Sequence, residues 1–258
     1  MIDFNAKLGH WPYRSVKGLD DLLRSMDRHG IERSVVSSLN AVFYLNPQDG
    51  NEEIARWVQP YRDRLIPFAV LRPDFSDWAS DMMRCLDEYG MKGVVLYPNY
   101  HRYDLSDPVL APLMEMAEER GVPVCVQAGL EDPRRQFGRE IVPDVSPEAI
   151  GDFARSYPRT HVAALGLKIG QPEAVGEPLP ENFFFDTSNY EKTGELEAAV
   201  ARFGARRILF GTNFPLFCPM ANLHKLRLAD LEEKDRQGIA GGNASRLLGQ
   251  QGLSSTVG

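Results

Sequence analysis

The sequence is poor in the features that mark secreted, membrane and nucleic-acid-binding proteins. It has three cysteines, too few and too widely spaced for a disulfide framework or a Cys-x-x-Cys zinc site. No apolar run approaches the roughly 20 residues that span a bilayer, and Met1 leads into a strand pattern rather than a signal peptide. The net charge of −7 and the scattered basic residues argue against a nucleic-acid partner. We therefore expect a cytoplasmic protein that acts on a small molecule and does not bind membranes.

Two common enzyme motifs are also missing. No G-x-G-x-x-G follows the first predicted strand, which argues against an open, doubly wound sheet that binds a dinucleotide. No G-x-S-x-G is present to form a nucleophile elbow. An α/β hydrolase with a serine nucleophile is therefore not expected.

Short apolar runs alternate with helical patterns along the chain, which is typical of a parallel sheet wrapped by crossover helices. The candidate strands lie at residues 2–8, 34–39, 66–71, 93–97, 122–128, 161–165, 182–187 and 207–211. Several of the intervening helices end in glycine just before the next strand. Eight such units predict an α/β protein with one domain, a (β/α)8 or TIM barrel over residues 1–250, followed by a polar tail at 251–258.

Six stretches, in this order along the chain, carry a resemblance to a known family. They are "IDFNAKLG", "GVVLYPNYHRYDLSDP", "LMEMAEERGVPVCVQAG", "FFFDTSN", "RRILFGTNFP" and "GIAGGNASRLLG". Together they resemble the amidohydrolase superfamily, in the branch of amidohydrolase-related, predicted metal-dependent hydrolases that includes decarboxylases and lactonases of small carboxylated substrates. The resemblance implies a barrel enzyme with its site at the carboxyl ends of the strands.

The metal-ligand positions of that family are substituted in this chain. The paired histidines of strand one fall on Asn5 and Lys7, and the strand-five histidine falls on Gln127. The strand-six histidine falls near Ala164, and the strand-eight aspartate falls on Asn213. Divalent transition metals prefer imidazole, carboxylate or thiolate ligands, and a protonated lysine repels a second cation. We therefore expect no metal at this centre and no other cofactor.

The same positions predict a polar pocket at the barrel mouth. Alternation along a strand puts Asn5 and Lys7 on one face, and the resemblance directs that face, together with Gln127 and Asn213, into the barrel. One amine and three amides suit the oxygens of a carbonyl or carboxylate. We predict catalytic roles for Lys7 and Asn213 and substrate binding by Asn5 and Gln127.

Lys7 is the most unusual of these residues. A lysine inside such a strand needs a counter-charge, a bound anion or a lowered pKa. The alternative is a lysine that reaches solvent at the strand end or pairs with Asp186 or Glu131. The resemblance places Asp186 at the family's strand-seven aspartate, where we expect it to orient its neighbours.

The segment "LYPNYHRYD" provides a second cluster. Tyr97, Asn99 and His101 recur at every second residue, so we expect them on one face as the strand enters its loop. An imidazole there, with a near-neutral pKa, suits a general acid or base, and Tyr97 and Asn99 would bind substrate. The alternative is an aromatic lid with His101 hydrogen-bonded at the surface.

Two long irregular stretches, 130–147 and 166–181, follow predicted strands and should lie over the mouth. We predict that Arg134 clamps a substrate carboxylate, against the alternative of a solvated charge run. His10 is a predicted substrate-binding residue. With His101 and a carboxylate from Glu131 or Asp132, it could instead form a displaced metal site.

Three functions are consistent with these residues. The first is a hydrolase, or a lyase such as a decarboxylase, that acts on a small, anionic carboxylate- or carbonyl-containing substrate without the superfamily metal. The second is a non-catalytic barrel that binds a small acid or a protein partner. The third is a Schiff-base enzyme that uses Lys7 as its amine. The sequence leaves open whether the chain forms a homo-oligomer.

Overall fold

Eight parallel strands form a closed barrel in the structure, a computed structural model that describes residues 1–136, 138, 141–168, 171–190 and 192–249. The strands are β1 (Ile2–Leu8), β2 (Arg33–Ser38), β3 in two pieces (Leu65–Pro67 and Ala69–Val70), β4 (Val94–Leu96), β5 (Val124–Gln127), β6 (Val162–Leu165), β7 (Phe183–Asp186) and β8 (Ile208–Leu209). Each overlaps a predicted range, and most are shorter than predicted. The predicted TIM barrel is confirmed, whereas the predicted tail at 251–258 lies outside the described residues.

Backbone hydrogen bonds close the barrel between its last and first strands. The N–H of Phe4 donates to the carbonyl of Phe210 at 2.8 Å, and that of Lys7 donates to Phe214 at 2.7 Å. In the other direction, the N–H of Asn213 donates to Asn5 at 2.7 Å. The chain beyond β8 therefore continues as the neighbour of β1, which brings Asn213 beside Asn5 and Lys7.

Helices surround the strands. They are α1 (Leu19–His29), α2 (Asn40–Phe43), α3 (Pro47–Val58), α4 (Trp78–Met83), α5 (Pro98–His101), α6 (Ala111–Arg120), α7 (Pro147–Ser156), α8 (Gln171–Ala174), α9 (Glu195–Phe203), α10 (Pro219–Leu228), α11 (Glu233–Gln237) and α12 (Asn243–Leu247). Two π-helical turns, Arg84–Glu88 and Gly238–Gly242, extend α4 and join α11 to α12. Within the described ranges, no helix is long and apolar enough to cross a membrane.

Glycines end α1 and α6 as predicted. Gly30 and Gly121 adopt left-handed backbone conformations, with φ of 71° and 61°, which cost glycine little because it has no Cβ. The N–H of Gly30 donates to the carbonyl of Met26, so the last turn of α1 is closed before the chain enters β2. Each of these turns sends the chain back into the barrel.

A bulge in β1 decides which side chains enter the barrel. The register pairs Asp3 with Ser34 but Ala6 with Val36, so β1 has one more residue than β2 in this interval. Phe4 packs in the inner apolar core, whereas Ala6 packs in the outer core beneath the helices. The side chains that alternate with Ala6, those of Asn5 and Lys7, therefore face inward at the carboxyl end of the strand.

Candidate active site

Lys7 is the centre of a buried polar cluster at the barrel mouth. Its side chain is 0% exposed, and its ammonium donates to the amide oxygens of Asn213, at 2.9 Å, and of Asn5. The amide nitrogen of Asn5 in turn donates to Asp186 at 2.7 Å and to the Ser188 hydroxyl at 3.3 Å. The structure thus brings together Asn5, Lys7 and Asn213, which come from β1 and the segment after β8.

The charges in this cluster are held in an apolar environment. Burial lowers the pKa of Lys7 from 10.5 to about 8, and the carboxylates of Asp186 and Asp3 oppose this decrease. Burial also raises the pKa of Asp186, and that of Asp3 from 3.8 to about 6. The pKa values of the lysine and of both carboxyl groups are shifted in the direction that favours their neutral forms. Desolvation therefore outweighs the attraction between the opposite charges. Among the described contacts, Asn5 bridges Lys7 and Asp186, in place of the direct Lys7–Asp186 pair considered as an alternative.

Asp186 accepts hydrogen bonds from two neighbours, at the position where we expect an orienting carboxylate. One carboxylate oxygen accepts the N–H of Gly166 at 2.7 Å, and the other accepts Asn5. A methyl group at Gly211 would lie 2.3 Å from that second oxygen and 3.1 Å from the Cβ of Asn5. Glycine at this point of the chain is therefore needed for the carboxylate to reach Asn5.

Gln127 lies at the end of β5 and binds the loop that follows. Its amide nitrogen donates to the carbonyls of Gly129 at 2.7 Å and Leu165 at 3.2 Å. Asn213 reaches the same loop, because its amide nitrogen donates to the carbonyl of Leu130 at 2.9 Å. The loop after β5 is thus held over the mouth by two of the predicted site residues.

The predicted cluster of Tyr97, Asn99 and His101 is only partly realised. Tyr97 faces into the barrel, and its hydroxyl lies 3.4 Å from that of Ser37. The expected alternation then ends, because Pro98 begins the short helix α5. The side chain of Asn99 donates to the carbonyl of Pro143 at 2.7 Å. The three side chains therefore do not share one face, and that expectation was wrong.

His101 differs both from the near-neutral acid or base that we expected and from the surface histidine of the alternative. It is 5% exposed and packs between the rings of Tyr97 and Tyr103, at centroid distances of 6.1 and 6.4 Å. Burial and the nearby Arg72 charge lower its pKa from 6.5 to about 4, while Asp74 and the backbone of α2 oppose the decrease. The imidazole is thus neutral near pH 7 in this conformation. The expectation of a near-neutral pKa was wrong, because burial disfavours the charged imidazolium.

The other predicted residues lie at the rim. His10 is exposed, and its backbone N–H donates to the side-chain oxygen of Asn40 at 2.7 Å. Arg134 is exposed and pairs with Asp132 at 2.6 Å, which is the solvated alternative considered for it. The described residues include no group of three histidine, cysteine or acidic side chains that could hold a metal, so the displaced metal site does not form among them.

Sequence reasoning missed Arg14. Its guanidinium lies 3.3 Å from the carboxylate of Glu131 and 3.4 Å from the carbonyl of Leu216. It therefore joins the loops after β1, β5 and β8 at the rim. Burial raises the pKa of Glu131 despite this arginine. A lone arginine in "PYRS" carries no motif that would have revealed this role.

The donor set at the centre does not fit a divalent metal. The amide oxygens of Asn5 and Asn213 already accept hydrogen bonds from the Lys7 ammonium, so a metal ion bound to them would lie beside a positive charge. The amide nitrogens are directed elsewhere, toward Asp186 and Leu130. The chemistry of this cluster is that of a hydrogen-bonded cation in a desolvated site.

Comparison with known proteins identifies the family. The chain matches the amidohydrolase family model over residues 5–250, nearly its whole length, and it belongs to that family. The family predicted from the strand-end motifs is thereby confirmed.

The similar proteins include several decarboxylases. The chain is 22% identical to a 2-amino-3-carboxymuconate-6-semialdehyde decarboxylase of Dictyostelium discoideum, over 89% of this chain and 76% of that protein. The structure of 5-carboxyvanillate decarboxylase from Sphingomonas paucimobilis aligns with a TM-score of 0.75 at 16% identity, covering 96% of this chain and 98% of that one. A dihydroxybenzoic acid decarboxylase from Polaromonas, solved with manganese and the inhibitor 2-nitroresorcinol, gives a TM-score of 0.75 at 20% identity and 96% coverage of both chains. The two structural likenesses support the fold.

Proposed function

We propose that this barrel is a lyase of the decarboxylase type, which acts on a small carboxylate and uses the Lys7 ammonium as its central positive charge. The observation that carries the proposal is the position of Lys7, fully buried at the carboxyl ends of the strands between two amide oxygens. Active sites of this fold lie at that face. The names of the similar proteins add support for decarboxylation of a carboxylate.

The reaction needs stabilisation of negative charge and a proton. When the bond to the carboxyl carbon breaks, its electron pair stays on the substrate carbon, which takes up a proton, and CO2 leaves. An ammonium in a desolvated site stabilises the charge that develops on the substrate, because the low local dielectric strengthens the interaction. With a pKa of about 8, Lys7 is mostly protonated at pH 7 and is also able to give up a proton.

Hydrolysis is less well supported by the same residues. A hydrolase needs a base that activates water, and the carboxylates nearest Lys7 accept hydrogen bonds inside the protein. Asp186 accepts Asn5 and Gly166, and Asp3 accepts Thr212 at 2.6 Å. His101 is neutral but is enclosed by aromatic rings.

CO2 release from dihydroxybenzoate and 5-carboxyvanillate by chelator-treated protein tests the proposal. We expect turnover by the wild type and a loss of about 10²–10³-fold in Lys7→Met, the usual cost of removing one preorganised donor. Lys92→Met, a substitution at an exposed lysine, is the matched control and should retain the activity. Saturable binding with no CO2 would favour the non-catalytic alternative, and turnover that survives in Lys7→Met would exclude the role given to Lys7.

A second candidate, Schiff-base chemistry, is favoured by the pKa of Lys7. A pKa of about 8 leaves roughly one amine in ten unprotonated at pH 7, and a neutral amine can attack a carbonyl carbon with loss of water. Borohydride reduction in the presence of a keto acid, followed by peptide mass spectrometry, distinguishes the two. A stable adduct on Lys7 would support the Schiff base, and its absence during turnover would support the electrostatic role.

A further inference from the structure

Gln127 carries a buried hydrogen-bond acceptor to which the described part of the chain donates no hydrogen bond. The side chain is 0% exposed, and its oxygen Oε1 has no hydrogen-bond partner among the described residues. Buried side-chain oxygens without a partner are uncommon in folded proteins, because the lost hydration is not compensated. An unpaired acceptor of this kind therefore calls for a specific explanation.

The hydrogen bonds of the amide nitrogen fix the orientation of the Gln127 side chain. The nitrogen Nε2 donates to two carbonyl oxygens, those of Gly129 and Leu165, at 2.7 and 3.2 Å. Exchanging oxygen and nitrogen would bring three acceptors together with no proton between them. The unpaired atom is therefore an obligatory acceptor, which can be satisfied only by a donor.

Gln127 belongs to the same site as Lys7. It follows Cys125 by two residues on the inward face of β5, and the Lys7 charge acts on the Cys125 thiol, opposing the increase in pKa that burial causes. The two are also connected through Asn213, which accepts from Lys7 and donates to the carbonyl of Leu130 in the loop that Gln127 holds. Both side chains therefore belong to one hydrogen-bonded cluster at the carboxyl ends of the strands.

The donors and acceptors of the site are complementary to one class of ligand. The Lys7 ammonium has three N–H groups and, within the described ranges, uses two of them on Asn5 and Asn213, which leaves one for an anionic oxygen. Gln127 offers an acceptor for a hydroxyl or amino group. Resting on the proposed function, we propose that Gln127 is a specificity-determining residue that selects carboxylates bearing a hydrogen-bond donor, by accepting that donor at Oε1.

Binding of matched ligand pairs to the intact protein tests this role. Calorimetric titration with 2-, 3- and 4-hydroxybenzoate is compared with the fluorobenzoate that has fluorine at the same ring position. Fluorine is close in size to a hydroxyl but donates no hydrogen bond. In the wild type we expect one hydroxy compound to bind about tenfold or more tightly than its fluoro partner, because a site with a buried polar group rejects an analogue that leaves it unpaired.

The variant Gln127→Met removes the acceptor and keeps the approximate length of the side chain. It should reduce the hydroxy-to-fluoro ratio to about one. Gln59→Met, at an exposed glutamine, is the control and should keep the wild-type ratio.

The outcomes separate this inference from the proposed function. Equal binding of hydroxy and fluoro compounds at all three positions by the wild type overturns the inference alone, and it requires no variant to fold. A ratio that persists in Gln127→Met also overturns the assignment to this residue. Failure of every benzoate to bind overturns both the inference and the proposed carboxylate site.

Discussion

The buried Lys7 should make the stability of the protein rise with pH in the alkaline range. Its pKa is 10.5 in an ordinary environment and about 8 in the folded protein, so between these values the unfolded chain holds more protons. Stability therefore increases with pH in that interval and is lower below pH 8. The unfavourable contribution of the charged lysine is about 3 kcal/mol at pH 7 and about 1 kcal/mol at pH 10, a gain of about 2 kcal/mol.

Urea unfolding of wild type and Lys7→Met at pH 7 to 10 measures this gain. The free energy of unfolding of the wild type should rise by about 2 kcal/mol relative to the variant, and tyrosine ionisation cancels because both proteins share it. Repeating the comparison with Asp186→Asn introduced into both proteins removes the titration of that neighbouring carboxylate from the difference. A difference between wild type and Lys7→Met that stays flat, or falls with pH, would refute the desolvated ammonium. An equal rise of wild type relative to Lys92→Met would also refute it.

Two further predictions concern His101 and Gly211. The pKa of His101 is lowered from 6.5 to about 4, so the unfolded chain binds more protons between these pH values. The free energy of unfolding of the wild type should therefore fall by about 3 kcal/mol relative to that of His101→Gln as the pH falls from 7 to 4. Urea unfolding measures this loss, and a constant difference between wild type and His101→Gln would contradict the burial argument. Gly211→Ala should destabilise the fold by about 1–3 kcal/mol, because its methyl group meets the Asp186 carboxylate at 2.3 Å. Thermal unfolding should show Gly238→Ala, which meets nothing closer than 3.6 Å, to be neutral or stabilising, and equal effects of the two changes would oppose the argument.

The fold was predictable because parallel barrel strands and their helices leave periodic signals in the sequence. Apolar runs separated by helical patterns located all eight strands, and the motif "IDFNAKLG" placed Asn5 and Lys7 at the end of the first. Their inward direction also depends on the bulge in β1, which a period of two along the strand does not reveal.

The details of the site were less predictable because they depend on partners distant in sequence. The alternation through Tyr97 was extended to His101, although Pro98 signals the start of a helix. The locking of the Gln127 amide depends on Leu165, which lies 38 residues away. The contact of Arg14 with Glu131 spans 117 residues. The ends of the strands can be predicted from short stretches of sequence, whereas the hydrogen bonds across the mouth form only in the closed barrel.

The most direct test of the central claim is metal content and carboxylate binding measured on one preparation. The claim is that the Lys7 ammonium provides the positive charge of the site in place of a divalent ion. Mass-spectrometric metal analysis should give far less than one zinc, manganese or iron per chain. Dihydroxybenzoate should bind equally before and after chelation and fail to bind Lys7→Met. One tightly held metal per chain, with binding that disappears on chelation and returns with manganese, would contradict it.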